Sequence, residues 1–343
     1  MKIASSGDWH LGAKNGSEQH CKDVVDFVHW MLEECEKREV STFVHTGDFF
    51  DKRDKVDVLS LNYGLALINT LADFFPEVYM LKGNHDIMKK DTRFPSSLQV
   101  FESRVNLIED YEQIGNDVML TSWVCSGEEY DEIVKVSKKA KVKYMFGHFE
   151  FSNFKMNEHY VMEHGQTHKS LKHIKQIITG HYHSRQEKDN VLYNGAPFPM
   201  NYSNSNEDDL GFSILDTETG EVEFVVYNKI KILSMTAKEA LGADFETMDD
   251  STSIRVVIDE EMSDDDLASL QEKLSDAGIR DSKMVYKINK TNLVLEEDTD
   301  LGEIVSIDQA VVDHLTKMTD VESIDKELLV GIYKEAMQKD DSE

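Results

Sequence analysis

Five short motifs that combine glycine with Asp, His or Asn each follow a short apolar run of this chain. They read GDWHLG (7–12), GDFFD (47–51), GNHD (83–86), GHFE (147–150) and GHYH (180–183). An apolar run of this length is typical of a buried strand, and a glycine at its end lets the backbone turn sharply. Strand ends in layered α/β folds are where sites are assembled. The pattern therefore predicts a ring of Asp, His and Asn side chains along one edge of a sheet.

The first 230 residues alternate apolar strand patterns with helical patterns. Helices are expected around 24–38 and 59–74, between the strands that carry the first three motifs. A further strand is expected at NVLYNGAPF, and GFSILDTETGEVEFVVY is expected to form a hairpin. This alternation predicts βα units around buried sheets.

The motifs contain seven oxygen and nitrogen donors that suit metal binding: Asp8, His10, Asp48, Asn84, His148, His181 and His183. Seven donors exceed what one ion normally takes, so the set indicates two adjacent ions sharing a carboxylate, with Asp48 as the natural bridge. Mixed imidazole and carboxylate donors without Cys suit Mn²⁺, Fe²⁺ or Zn²⁺ better than Ca²⁺ or Mg²⁺.

The spacing within the motifs gives two further expectations. In extended backbone, residues two apart point to the same side, so Asp8 with His10 and His181 with His183 are each expected to occupy adjacent coordination positions. His85 follows Asn84 and faces the opposite side on the same assumption. It is therefore expected to meet the substrate rather than the metals.

A pair of cations clamps a phosphate during in-line attack by water, so the predicted chemistry is phosphoester hydrolysis. His85 is assigned contact with the phosphate and supply of a proton to the leaving oxygen, with Asp86 as the candidate to orient it. Lys52 and Arg53 lie beside the second motif, where contact with phosphate and a solvated surface role are equally open. His45, just before that motif, is left as either a core residue or a support for the ligands.

The charge of the chain excludes one class of function. Its 343 residues include 37 Lys and Arg against 66 Asp and Glu, a formal net charge of −29. A simple basic nucleic-acid binder is therefore excluded. Two divalent cations would bring about +4 into a cleft and so allow an anionic substrate.

The sequence changes character after about residue 230. Residues 231–292 are expected to form a small α/β domain, in which Ser263 precedes three acids as at a helix N-terminus. Residues 293–343 read as an acidic linker and two amphipathic helices that dock either on this chain or on a partner. No apolar run approaches the ~20 residues of a membrane span, and the three Cys form no CxxC pair, so a cytoplasmic protein is expected.

In these five motifs the chain resembles the calcineurin-like metallophosphoesterases. GDWHLG, GDFFD and GNHD are most similar to the SbcD-type nucleases of double-strand-break repair, and above all to their recombination endonuclease counterparts in tailed bacteriophages. The resemblance implies a four-layer αββα sandwich over 1–230, a capping and DNA-recognition domain over 231–292 and an ATPase-binding tail over 293–343. For a viral member, the compartment would be the host cytoplasm.

The resemblance also implies roles for the site residues. One Mn²⁺ would be held by Asp8, His10, Asp48 and His183, the other by Asp48, Asn84, His148 and His181, and His85 would be catalytic. The implied activities are 3′ to 5′ exonuclease on duplex ends and endonuclease on single strands and hairpins. The implied setting is DNA repair, recombination and replication, as a dimer with an SMC-like coiled-coil ATPase. Many relatives carry His at the position of Asp51, which leaves a substrate role for Asp51 open.

Two rival functions remain at this point. A phosphoprotein phosphatase or cyclic-nucleotide phosphodiesterase could use the same scaffold. Protein phosphatases of the superfamily, however, usually show Asp-Arg-Gly after the second motif and Asn-His-Glu in the third, where this chain has DKR and NHD. The second rival is a scaffold subunit that regulates an ATPase, against which the complete donor set argues.

Overall fold

The computed structural model describes residues 1–157, 160–245, 247–260 and 262–287. The predicted tail, 293–343, lies outside the described residues. The α-helices are α1 (Ala13–Gly16), α2 (Glu18–Lys37), α3 (Val58–Phe74), α4 (Gly127–Ala140), α5 (Ala237–Gly242) and α6 (Asp264–Asp276). The strands are β1 (Lys2–Ser6), β2 (Thr42–His45), β3 (Glu77–Leu81), β4 (Ile87–Lys89), β5 (Thr92–Ser96), β6 (Asn106–Ile108), β7 (Tyr111–Ile114), β8 (Val118–Thr121), β9 (Tyr144–His148), β10 (Lys155–Asn157), β11 (Tyr160–Val161), β12 (Gln176–Gly180), β13 (Gln186–Lys188), β14 (Val191–Tyr193), β15 (Gly211–Asp216), β16 (Val222–Val226), β17 (Lys231–Thr236), β18 (Thr252–Ile258) and β19 (Asp281–Tyr286).

Two six-stranded sheets form the body of the protein. The first has the order β16-β15-β1-β2-β3-β6, and the second has the order β13-β14-β12-β9-β8-β7. Strands β1, β2, β3 and β6 run parallel, as do β14, β12, β9 and β8. The parallel strands put the carboxyl ends of β1, β2 and β3 at one edge of the first sheet, and those of β9 and β12 at one edge of the second.

The layers follow from three apolar clusters. Ile3, Val44 and Leu81 of the first sheet share one cluster with side chains of the second, including Phe146 and Ile178, so the sheets pack face to face. The outer face of the first sheet packs on α2 and α3. The outer face of the second packs on α4. The predicted four-layer αββα sandwich is confirmed.

Local sequence explains where the flanking helices begin. Ser17 caps α2 by accepting the backbone N–H of His20 at 3.3 Å. Asp57 caps α3 by accepting that of Ser60 at 2.9 Å. Such caps satisfy amide groups that have no partner within the first helical turn.

A third sheet, with the order β17-β18-β19, carries α5 and α6 on an apolar core of its own. Ser263 caps α6, as its position before three acids indicated, and accepts the N–H of Asp266 at 3.1 Å. Strand β17 and helix α5 were not anticipated. The Arg280 guanidinium joins this sheet to α2 by an ion pair of 2.6 Å with the buried Asp23. The assignment of 231–292 to a capping, DNA-recognition domain stays a prediction.

Within the described part of the chain, none of the helices is both long enough and apolar enough to cross a lipid bilayer.

Candidate metal centre

The five motifs meet where the two sheets present the carboxyl ends of their parallel strands. The first two motif loops run side by side, with the backbone N–H of Asp8 donating to Gly47 O (2.8 Å) and that of His10 to Asp48 O (3.1 Å). The third loop joins them through the N–H of His85, which donates to Asp48 Oδ1 at 2.8 Å. From the second sheet, the N–H of His181 donates to Asp8 Oδ1 at 3.0 Å. Backbone hydrogen bonds thus fix the loops before any ligand is considered.

The backbone of these loops differs from the expected extended form. Asp8, His10, Asp48 and His181 have positive φ angles of 54°, 46°, 56° and 100°. The argument that paired ligands share a side because the chain is extended is therefore wrong. Asp8 and His10 still reach one cluster from left-handed turns, whereas His181 and His183 reach different clusters. Such strain in residues other than glycine is concentrated at functional sites.

Most of the motif glycines are needed because neighbouring atoms lie too close for a Cβ, and not because the backbone turns there. A Cβ at Gly83 would lie 2.1 Å from Asp48 Oδ1, and one at Gly180 would lie 2.7 Å from Asp8 Oδ2. Gly47 combines both needs, because its φ is 99° and its Cβ would lie 2.5 Å from His148 Nδ1. Glycine at these positions leaves room for the ligand side chains.

One cluster of donors consists of Asp8, His10 and His183, whose ligand atoms all lie within 4.8 Å of one another. Nε2 of His10 is 3.0 Å from Nε2 of His183. Asp8 and His10 are buried.

A second cluster consists of Asp48, His148 and His181, again within 4.8 Å. Asp48 Oδ2 lies 3.4 Å from His148 Nε2 and 3.8 Å from His10 Nε2, so it reaches both clusters. Asn84 Oδ1 is 3.1 Å from His148 Nε2. All seven predicted donors are brought together, with Asp48 between the two groups. Their role as ligands stays a prediction.

The electrostatics of the clusters suit cations. Burial alone would raise the pKa of Asp48, yet His148 and His10 beside it hold that pKa well below its usual range. Burial raises the pKa of Asp8 to about 7, and burial lowers the pKa of His183 to about 3. Two buried carboxylates without a compensating cation are costly, and divalent cations would repay that cost.

One more observation supports the fit to metal ions. Nδ1 of His181 is buried and has no hydrogen-bond partner among the described residues, as expected of a nitrogen reserved for a ligand bond. The oxygen and nitrogen donor set, without thiolates, fits two divalent ions of the Mn²⁺, Fe²⁺ or Zn²⁺ type.

His85 stands next to the first cluster. Its Nδ1 donates to the carbonyl oxygen of Asp51 at 2.5 Å, which leaves Nε2 as the nitrogen available to a substrate. Its ring centroid is 4.9 Å from that of His10, and burial lowers its pKa. His85 also forms a third group of metal-compatible donors with His10 and Asp51. Its predicted role in proton transfer is untested.

Asp86 is buried and acts on the loops rather than on the His85 imidazole. Its carboxylate accepts backbone N–H groups from Asp48 (2.7 Å), Phe49 (3.0 Å) and Phe50 (3.2 Å), all of the second motif. It also accepts the N–H of Gly83 at 2.9 Å. Asp86 therefore orients the loops that carry Asp48 and Asn84.

The remaining predicted residues lie around Asp51. The Asp51 carboxylate is 3.5 Å from His10 Nδ1, and that contact lowers the pKa of Asp51. Lys52 is exposed and Arg53 is partly exposed, beside the site but without a described hydrogen bond to its donors. His45 is a core residue, which packs edge-on against Trp9 at 4.6 Å between ring centroids.

Three residues near the second cluster were not predicted from the sequence. Glu150 Oε1 lies 3.4 Å from His181 Nε2, and the carbonyl oxygen of Thr46 accepts Nδ1–H of His148 at 2.7 Å. The Trp123 ring lies 5.3 Å from the His181 ring. Glu150 ends the motif GHFE and could have been found there, whereas nothing local marks Thr46 or Trp123.

Comparison with known proteins gives one family and several relatives. Residues 1–210 match the family model of the calcineurin-like phosphoesterases. Exonuclease subunit 1 of Enterobacteria phage T4 is 26% identical over 351 residues, covering 98% of this chain and 100% of that protein. Putative phosphoesterase 078R of Invertebrate iridescent virus 3 is 26% identical over 257 residues, 70% of each chain. One subunit of the nuclease SbcCD of Escherichia coli strain K12 is 29% identical over 86 residues, which are 25% of this chain and 21% of that protein.

Proposed function

This chain belongs to the calcineurin-like phosphoesterase family, and on that premise we propose that it is a DNA nuclease. The resemblance read from the five motifs is confirmed at the level of the family, which makes the protein a phosphoester hydrolase. The observation that carries the nuclease proposal is the match to an exonuclease subunit along 98% of the chain.

The convergent donors support a centre of two divalent ions. We assign Asp8, His10, Asp48 and His183 to one ion, and Asp48, Asn84, His148 and His181 to the other. When bound, the two cations supply the positive charge that activates water and stabilises a phosphate under in-line attack. Mn²⁺ is the proposed metal.

The protein groups around the clusters supply position and a proton. Asp86 holds the second and third loops together, and the carbonyl of Asp51 fixes the His85 ring. The Nε2 of His85 then contacts the phosphate and gives a proton to the leaving oxygen. Burial lowers the pKa of His85, whereas the negative charge of an incoming phosphate favours the protonated ring.

The test of the proposal is hydrolysis by the purified full chain with Mn²⁺. Substrates are an end-labelled duplex, a single-stranded oligonucleotide, a hairpin and bis-p-nitrophenyl phosphate. We expect 3′ to 5′ shortening of the duplex and internal cuts in the single strand and hairpin. Cleavage of the small ester but of no DNA would defeat the nuclease assignment and favour a phosphoprotein phosphatase or cyclic-nucleotide phosphodiesterase.

We further propose that the protein works as one component of a larger complex. Two of its relatives are named as subunits, of an exonuclease and of the nuclease SbcCD. The proposed partner is an SMC-like coiled-coil ATPase bound by residues 293–343. The proposed setting is repair, recombination and replication of DNA in the cytoplasm of a cell that hosts a bacteriophage.

Deletion of 301–343 should keep activity on single strands and abolish co-purification with the ATPase. Co-purification by the truncated chain would contradict the role of the tail, and absence of any nuclease activity would favour a scaffold subunit.

A homodimer is also proposed, because the resemblance to the SbcD-type nucleases implies one. Light scattering of the full chain at micromolar concentration should give twice the monomer mass of 39.3 kDa. A monomer mass at every concentration would contradict it.

A further inference from the structure

The β4–β5 hairpin follows Asp86 directly and presents apolar side chains to solvent. Phe94 is 66% exposed and Met88 is 52% exposed. Ile87 pairs with Ser96 and Lys89 with Thr92, and the register shifts between these two pairs, where Met88 and Phe94 lie. Single exposed apolar residues need no explanation, but two on one short hairpin next to the candidate centre indicate a contact surface.

The hairpin is held in place at several points. The N–H of Ser97 donates to the carbonyl of Asp86 at 2.9 Å and closes the hairpin at its base. Nε–H of Arg93 donates to the carbonyl of Trp123 at 2.8 Å, and the Trp123 indole N–H donates to the carbonyl of Lys90 at 2.9 Å. A surface fixed in this way loses little conformational entropy when a ligand binds.

The same hairpin borders the second donor cluster. Trp123 lies between the two, with its ring 5.3 Å from the His181 ring and 5.8 Å from the Lys90 ammonium. The hairpin therefore brings the basic group of Lys90 to one border of the centre and also carries the exposed Phe94 ring, on a chain whose net charge is −29.

We propose that the hairpin is a subsite for unpaired DNA, in which one base stacks on Phe94 and the adjoining phosphate contacts Lys90. Aromatic side chains next to basic ones bind single strands without regard to sequence, because every base has a stacking face. The inference rests on the proposed nuclease function and deepens it. It states that the strand bound at this border is unpaired and names the ring that holds it.

The test compares two substrates, with Mn²⁺, for the full chain as wild type and as Phe94 variants. One substrate is a single-stranded oligonucleotide, and the other has the same backbone with abasic sites in its terminal nucleotides. For the wild type, kcat/KM should fall about 5- to 150-fold from the first to the second, the equivalent of about 1–3 kcal/mol for one stacked base. On the normal oligonucleotide, the kcat/KM of Phe94→Ala should be lower than that of the wild type by the same factor. On the abasic oligonucleotide the two proteins should have equal kcat/KM. Phe94→Trp should restore the wild-type value on the normal oligonucleotide.

Controls separate the subsite from the nuclease function. Val226→Ala, which trims an exposed apolar residue of edge strand β16, should behave as the wild type on both substrates. If the wild type cleaves neither these oligonucleotides nor the end-labelled duplex, the nuclease proposal itself fails, whereas cleavage of the duplex alone overturns only the subsite for unpaired DNA. The stacking inference is overturned if the wild type cleaves DNA and Phe94→Ala has the same kcat/KM on the normal substrate. It is also overturned if Phe94→Ala loses the same factor in kcat/KM on both substrates. A match on the normal substrate would favour a protein contact for the hairpin.

Discussion

The backbone N–H of His85 donates to Oδ1 of Asp48 at 2.8 Å, so the proposed proton donor is attached through its main chain to the carboxylate shared by both donor clusters. The imidazole of His85 is turned elsewhere, with Nδ1 on the carbonyl of Asp51. The main chain of His85 therefore positions Asp48, whereas its side chain carries the proposed chemistry. A substitution that keeps the backbone can separate them.

His85→Ala should abolish hydrolysis and leave two metal ions bound. The backbone hydrogen bond to Asp48 survives the substitution, while loss of general acid catalysis costs about 10²- to 10⁴-fold in rate. Initial rates on single-stranded DNA and elemental analysis of the dialysed protein check both parts. His164→Ala, at an exposed His, is the matched control and should change neither. Loss of both metals from the His85 variant would show that His85 is a ligand.

Glu150 should act on metal affinity through His181. Its carboxylate lies 3.4 Å from Nε2 of His181, opposite the buried Nδ1, so it favours the tautomer whose Nδ1 is free to bind. Removal of such a partner typically costs 10- to 100-fold in metal affinity. Calorimetric titration with Mn²⁺ should show that loss for one of two sites in Glu150→Ala and partial recovery in Glu150→Gln. Glu128→Ala, at an exposed position on α4, should titrate as the wild type. Equal affinity in Glu150→Ala would rule out the role.

The sequence was sufficient to predict which residues gather, because the information is local. An apolar run followed by Gly and then Asp or His marks a strand end, and parallel strands bring such ends together. The donor set from Asp8 to His183 could thus be proposed before the fold was known. The supports could not, because the Thr46 carbonyl meets His148 only after residues 102 positions apart are packed across two sheets.

The conformation of the loops was also beyond the sequence argument. Asp8, His10 and Asp48 adopt positive φ angles that favour glycine, although each carries a side chain. Hydrogen bonds between neighbouring loops stabilise these angles, and such tertiary bonds have no local signature. The sequence correctly drew attention to the glycines but assigned most of them the wrong physical reason.

Gly83→Ala tests the reason that the structure gives. The new Cβ would lie 2.1 Å from Asp48 Oδ1 and 2.3 Å from its backbone nitrogen, so Asp48 must move away from the clusters. We expect a loss of about 1–3 kcal/mol in the free energy of unfolding, as for other overpacked positions, and weaker binding of both ions. Gly127→Ala is the control, since its Cβ would meet nothing within 4 Å. Unfolding in urea and titration with Mn²⁺ measure the two effects, and unchanged values for both in Gly83→Ala would contradict the close-approach argument.

His45 gives the protein a pH dependence of stability that is separate from its metals. Burial lowers the pKa of His45 from 6.5 to about 3. As pH falls below 6.5, the unfolded chain binds a proton that the folded chain does not, so the contribution of His45 is complete above 6.5 and is lost as pH falls toward 3. Between pH 7 and pH 5 the wild type should lose about 2 kcal/mol more unfolding free energy than His45→Asn. Urea unfolding at both pH values, with a chelator present so that metal release does not contribute, measures this difference. The exposed His29 supplies the control, because His29→Asn should follow the wild type at both pH values. An equal loss in wild type and His45→Asn would mean that the buried ring accepts a proton in the folded protein.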